Sequence, residues 1–135
     1  MMRDFATVWS ERGLLLSGLG NTVLLSVLAG LAALVLGALL STLLMSPRKL
    51  LSLPAKWLVD LARCTPFLLF AYIVYYGLPS LGLQFDAWSA GLFALTAYHA
   101  AYMAEILRAA WASQPRAPFE AGVAFGYRGF GLFRR

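Results

Sequence analysis

From Gly13 to Met45 no side chain carries a charge. Crossing a bilayer as an α-helix takes roughly 20 apolar residues, and a cleavable leader has an apolar core of only about 7–15. A run this long is therefore expected to stay in a membrane. Composition agrees: 61% of residues are hydrophobic, 13% are charged and the mean hydropathy is +0.73, outside the range of a soluble domain of 135 residues. The net charge of +5 does not point to nucleic acid, because the basic residues sit at the ends of apolar runs, where they orient a membrane protein. One cysteine, Cys64, excludes an internal disulfide, and no His/Cys cluster has metal-ligand spacing. The expected fold class is all-α, a polytopic transmembrane helical bundle.

Three spans are expected, at about 22–44, 65–83 and 87–107. In the first, Ala29, Ala33 and Gly37 recur every fourth residue, a smooth stripe along which another helix can approach. The second starts at Arg63-Cys-Thr-Pro66 and stops at Tyr75-Tyr-Gly-Leu-Pro79. Lys and Arg are unequally shared. The first connection holds Arg48, Lys49, Lys56 and Arg63, and the tail holds Arg108, Arg116, Arg128, Arg134 and Arg135, whereas the second connection has none. By the positive-inside rule the first connection and the tail are cytoplasmic, and the N-terminus lies outside.

After the third span, Pro115 and Pro118 are placed to end one helix and begin another, and Gly126 suits the position just past the new helix. Four-residue spacing sets Gly122 and Gly126 on one face beside Phe119 and Val123. This helix, in a loop spanning about 113–128, either presses against another protein or lies on the membrane surface. Within the third span, His99 either lines a pathway or is a neutral histidine bonded to a neighbouring helix. Glu105 is expected to pair with Arg108, three residues on. No nucleophile–base pair, paired carboxylates or G-x-x-x-x-G-K-[ST] run is present, so no enzyme is expected, and any ATP-driven step belongs to another subunit.

These pieces together resemble the membrane-spanning permease subunit of ATP-binding-cassette importers, in the polar amino acid (histidine/glutamine/opine) branch. Gly20-Asn-Thr-Val-Leu-Leu-Ser26 is similar to that family's G-x-T-x-x-x-S, and Arg63-Cys-Thr-Pro-Phe-Leu-Leu69 to R-G-T-P-x-L. Tyr75 to Pro79 resembles Y-(Y/F)-G-L-P, and Ala101-Tyr-Met-Ala-Glu-Ile-Leu-Arg108 resembles A-Y-x-(A/S)-E-I-x-R. Glu120-Ala-Gly-Val-Ala-Phe-Gly126 resembles the E-A-A-x-x-x-G of the cytoplasmic coupling loop. Cys64 stands where the family usually has glycine, Gly122 where it has the second alanine, and Ala117-Pro118 where it often has Gly-Gln.

The resemblance implies import of polar amino acids or related solutes across the bacterial plasma (inner) membrane. It implies no cofactor on this chain, ATP being bound by a cytosolic subunit that receives the coupling helix through Phe119, Glu120, Ala121, Gly122, Val123 and Gly126. It also implies a second permease subunit, the same or different, and an extracytoplasmic solute-binding protein, with Thr65, His99 and Tyr102 as candidate residues of the translocation path. Family members of this type have five spans, of which three are present. The I-x-L-P run expected next would begin where Leu132-Phe-Arg-Arg135 stands, so the chain is a fragment or a truncated permease. A small three-span scaffold whose cytoplasmic helix binds something other than an ATPase is the alternative reading.

Overall fold

The computed structural model describes residues 9–126, without the side chains of Arg116, Pro118 and Phe119. Among the described residues the ordered elements are all helical: α1 (Arg12–Leu44), α2 (Lys49–Cys64), α3 (Phe67–Tyr72), α4 (Ala87–Ala112) and α5 (Arg116–Ala124). Helix α1, 33 residues long, starts ten residues before the expected span. Among the described residues it is the helix both long and apolar enough to cross a bilayer by itself. Its hydroxyls turn back on its own carbonyls, as Thr22 does to Gly18 and Ser41 to Ala38. That satisfies polar groups with no water nearby to do so.

The smooth stripe is buried as expected: Ala29, Ala33, Gly37 and Ser41 are the residues of α1 that are covered. They pack on α4, whose buried residues are also small, Ala90, Ala94, Thr96, Ala100, Ala101 and Ala104. The helices approach closely at Gly37, where an added Cβ would lie 2.6 Å from Met103 Cβ and 3.1 Å from the Ala100 carbonyl oxygen. Higher up, a Cβ on Gly91 would lie 3.9 Å from Leu25 Cδ1. Residue 25 meets 91 and residue 37 meets 103, so the two helices run parallel. The chain must return between them.

That return is made by α2 and α3, and it differs from one continuous helix. The stretch before Arg63, expected as a polar connection, forms the 16-residue α2. At Thr65 and Pro66 the path bends by 109°. Proline disfavours the α-region for the residue before it, and Thr65 is extended (φ −95°, ψ 133°). Beyond α3 the coil widens to a π-turn over Ile73–Gly77 and tightens to a 3-10 turn over Leu78–Leu81. Pro79 explains the change, because it has no N–H to give to the carbonyl four residues back and its ring crowds that carbonyl. Gly82 then reverses the chain at φ 85°.

Helix α4 is central. Val59 of α2 is buried with Ala101 and Ala104 at one end of it, and Val74 of the π-turn with Ala90 and Ala94 at the other. With 26 residues α4 is long enough to cross a bilayer, but His99, its tyrosines and Glu105 lower its hydropathy. A helix packed on several sides by others tolerates such residues.

Asp86 caps α4, accepting from the backbone N–H groups of Trp88 (3.1 Å) and Ser89 (3.4 Å), while Ser89 Oγ donates to its carboxylate. These bonds, the Ser89 hydroxyl first, hold the Asp86 carboxyl below the usual carboxylate range. A depressed carboxylate contributes stability above its unfolded pKa and loses it as pH falls through the folded value. Protection of the Trp88 and Ser89 amides from hydrogen exchange is therefore expected to drop below about pH 4. Asp86→Asn, which retains a capping oxygen, should show no such step. A pH step that survives in the Asn variant would remove Asp86 as its source.

Candidate functional site

The bend at Thr65–Pro66 leaves carbonyls without helical partners, and α4 supplies donors for them. Tyr98 and Tyr102, four residues apart and so on one face, each aim a hydroxyl across. Tyr98 donates to the Thr65 carbonyl and Tyr102 to the Arg63 carbonyl, both at 3.3 Å, and the two hydroxyls are 3.2 Å apart. Thr65 Oγ1 donates back to Leu61 at 2.9 Å. Rings close around this joint. Phe67 meets Tyr98 edge-on at 5.2 Å, and the Arg63 guanidinium lies 5.5 Å from the centre of the Tyr102 ring.

Of the candidate path residues, Thr65 and Tyr102 thus belong to one cluster. His99 stands beside it, 5.8 Å from Tyr98 and 6.3 Å from Phe67 by ring centres. Its Nδ1 lies 2.8 Å from the Leu95 carbonyl of its own helix, a bond within α4, where the sequence leaves open a place on a pathway or a bond to a neighbouring helix. A neutral imidazole bonded in this way keeps its proton on Nδ1 and offers Nε2 as acceptor. The side chain is exposed. Tyr98 and Arg63 were not among the candidates. The signal for them was the i, i+4 tyrosine pair opposite a Thr-Pro break.

One turn further along α4, Arg108 donates to Glu105 through Nε at 2.9 Å and through a terminal nitrogen at 2.6 Å. This is the expected i, i+3 pair, in its two-bond form. It lines a cleft of about 290 Å³ with Leu44 of α1 and Lys56, Val59 and Asp60 of α2.

Helix α4 ends at Ala112, and the Ser113 N–H closes it on Ala109. Three residues later α5 begins. Pro115 precedes its first residue and Pro118 lies in its first turn, where a missing N–H leaves no bond unmade. At the other end the Phe125 N–H bonds Ala121, the Gly126 N–H bonds Val123, and Gly126 adopts φ 85°. Glu120, Ala121 and Val123 are exposed and Gly122 is half-buried. The side chain of Phe119 and residues 127–128 of the expected loop lie outside the described residues.

No family model matches the chain. Curated proteins do. It is 36% identical to the probable amino-acid ABC transporter permease protein YckA of Bacillus subtilis (strain 168), over 82% of this chain and 49% of that protein. It is 35% identical to the arginine transport system permease protein ArtQ of the same organism, over 93% of this chain and 58% of ArtQ. A crystal structure of an amino acid ABC transporter with histidines superposes with a TM-score of 0.86 at 30% identity, covering 96% of this chain and 61% of that one. The chain belongs to the amino-acid ABC transporter permeases. It spans about half the length of the curated relatives it matches. Permeases of this family are transport proteins and not enzymes, in accord with the lack of catalytic groupings in the sequence. The all-helical fold is the one the relationship requires.

Proposed function

We propose that this permease chain forms part of an importer for polar amino acids or related solutes, driven by a separate cytosolic ATPase that receives α5. The observation that carries the reading is the parallel course of α1 and α4, because it brings their C-terminal ends, the basic residues around them and the start of α5 to one face of the bundle. By the positive-inside rule that face is cytoplasmic, with the N-terminus outside a bacterial inner membrane. The segment beyond the bend, from α3 through the turns to Leu81, is then the return crossing between two outward-to-inward spans, and α2 leads into it. ATP is held by the partner, a second permease subunit completes the pathway, and a solute-binding protein delivers from outside. Thr65, Tyr102 and His99 are proposed to border the path at the bend, where irregular backbone is tolerated if it lines a cavity.

The coupling role of α5 is tested by co-purification of a nucleotide-binding subunit from mild detergent. Glu120→Lys reverses an exposed charge. Gly126→Asn adds a side chain at a positive-φ position that asparagine tolerates. Both are expected to lower recovery of the partner at least about tenfold, equivalent to ~1.4 kcal/mol of binding. Undiminished recovery with both variants would refute docking through α5.

A further inference from the structure

We propose that α2 is an anionic-lipid contact, seating its exposed apolar face in the acyl region and its basic stripe among acidic phospholipid headgroups. The helix has three faces. Ala55 and Val59 are buried, Val59 against α4. Lys49, Ser52, Lys56, Asp60 and Arg63 recur at intervals of three and four residues, a polar stripe with three bases and one acid. Leu50, Pro54, Trp57 and Leu61 recur likewise on a third face. There Leu50 is 88% exposed, Trp57 75% and Leu61 72%. Arg48, at the N-cap, adds a fourth base to the same end.

A helix with a broad apolar face, a tryptophan on it and a basic polar edge suits the membrane interface. The 109° bend turns α2 away from the course of α3, so it need not follow that segment across the bilayer. Charge selects the occupant. A second copy of α2 on this face would set like charge against like, whereas phosphodiester headgroups are complementary. Glu105 does not cancel the stripe, since Arg108 already holds its carboxylate. The assignment rests on the cytoplasmic placement proposed above, but its test needs no ATPase.

The full chain, with Trp9, Trp88 and Trp111 changed to phenylalanine, is placed in phosphatidylcholine nanodiscs containing a minority of phosphatidylglycerol. Quenching of Trp57 by brominated acyl chains is compared with bromine on either lipid at matched mole fraction. Brominated phosphatidylglycerol is expected to quench at least about twofold more efficiently, with the preference weakening in high salt. The preference should fall toward unity in Lys49→Gln/Lys56→Gln and persist in Lys49→Arg/Lys56→Arg. Equal quenching by the two lipids would overturn headgroup selection. Absence of quenching by either would overturn lipid contact and place protein on this face, whether or not α5 binds an ATPase.

Discussion

Gly37→Ala is expected to lower the stability of the α1–α4 pair by about 1–3 kcal/mol, as overpacking does, and Gly37→Leu by more. A methyl group at this position would sit 2.6 Å from Met103 Cβ, a side-chain atom fixed to the backbone, and 3.1 Å from the Ala100 carbonyl oxygen. Neither neighbour can swing aside by changing rotamer, so the helices must part. Separation is costly along the whole stripe, because in lipid the attraction between helices is close packing itself and not release from water. Gly30 provides the contrast. It lies in the same helix with nothing within 4 Å of its added Cβ, and Gly30→Ala should be neutral or gain up to ~1 kcal/mol of helix propensity. The comparison is made by titrating denaturing detergent in mixed micelles. Equal midpoints for the two alanine variants would show that the approach at Gly37 is not a packing constraint.

The second large effect is expected at the bend. Tyr98→Phe/Tyr102→Phe keeps both rings and removes the two hydroxyls that reach the Thr65 and Arg63 carbonyls. Hydrogen bonds between membrane helices average about 0.6 kcal/mol and reach about 1–2. The pair is therefore worth ~1–3 kcal/mol, the upper part of that range applying if water does not replace the donors. Since the lost bonds join α4 to the bend, the amides of α3 should exchange faster while those in the middle of α1 stay unchanged. Uniform exchange across both helices in the double variant would mean that the tyrosines do not hold the joint. The single variants should sum to less than the double, because the hydroxyls are 3.2 Å apart and either can turn toward the remaining carbonyl.

How much of this was legible in the sequence depends on the kind of signal. Local signals survive well. The four-residue recurrence of Ala29, Ala33 and Gly37 marked the buried stripe, the Glu105–Arg108 spacing marked their pairing, and Pro118 and Gly126 bounded α5. Each needs only helix geometry to be read. Helix α2 was hidden because its bases made it look like a connection between spans, although its polar residues keep a helical period. The bond of His99 to Leu95 is not legible in the sequence, since an imidazole that turns back on the i−4 carbonyl of its own helix leaves no trace in composition. The tyrosine donors at the bend needed two distant pieces of chain to be set side by side, and spacing along one piece cannot do that.

Parallel packing of α1 and α4 has an electrostatic consequence. Each helix carries partial positive charge at its N-terminus and partial negative charge at its C-terminus, and in a parallel pair these add instead of cancelling. Neither helix has a basic residue in its own last turn. Compensation comes from beside them. Arg108 of α4 is already paired with Glu105, so the cations are those of α2, whose Lys49, Lys56 and Arg63 outnumber its Asp60 beside Leu44, the final residue of α1, and at the opposite end Asp86 provides the negative cap for α4. The crossing of α2 over this end of the bundle thus brings cations to two aligned dipoles that would otherwise repel each other.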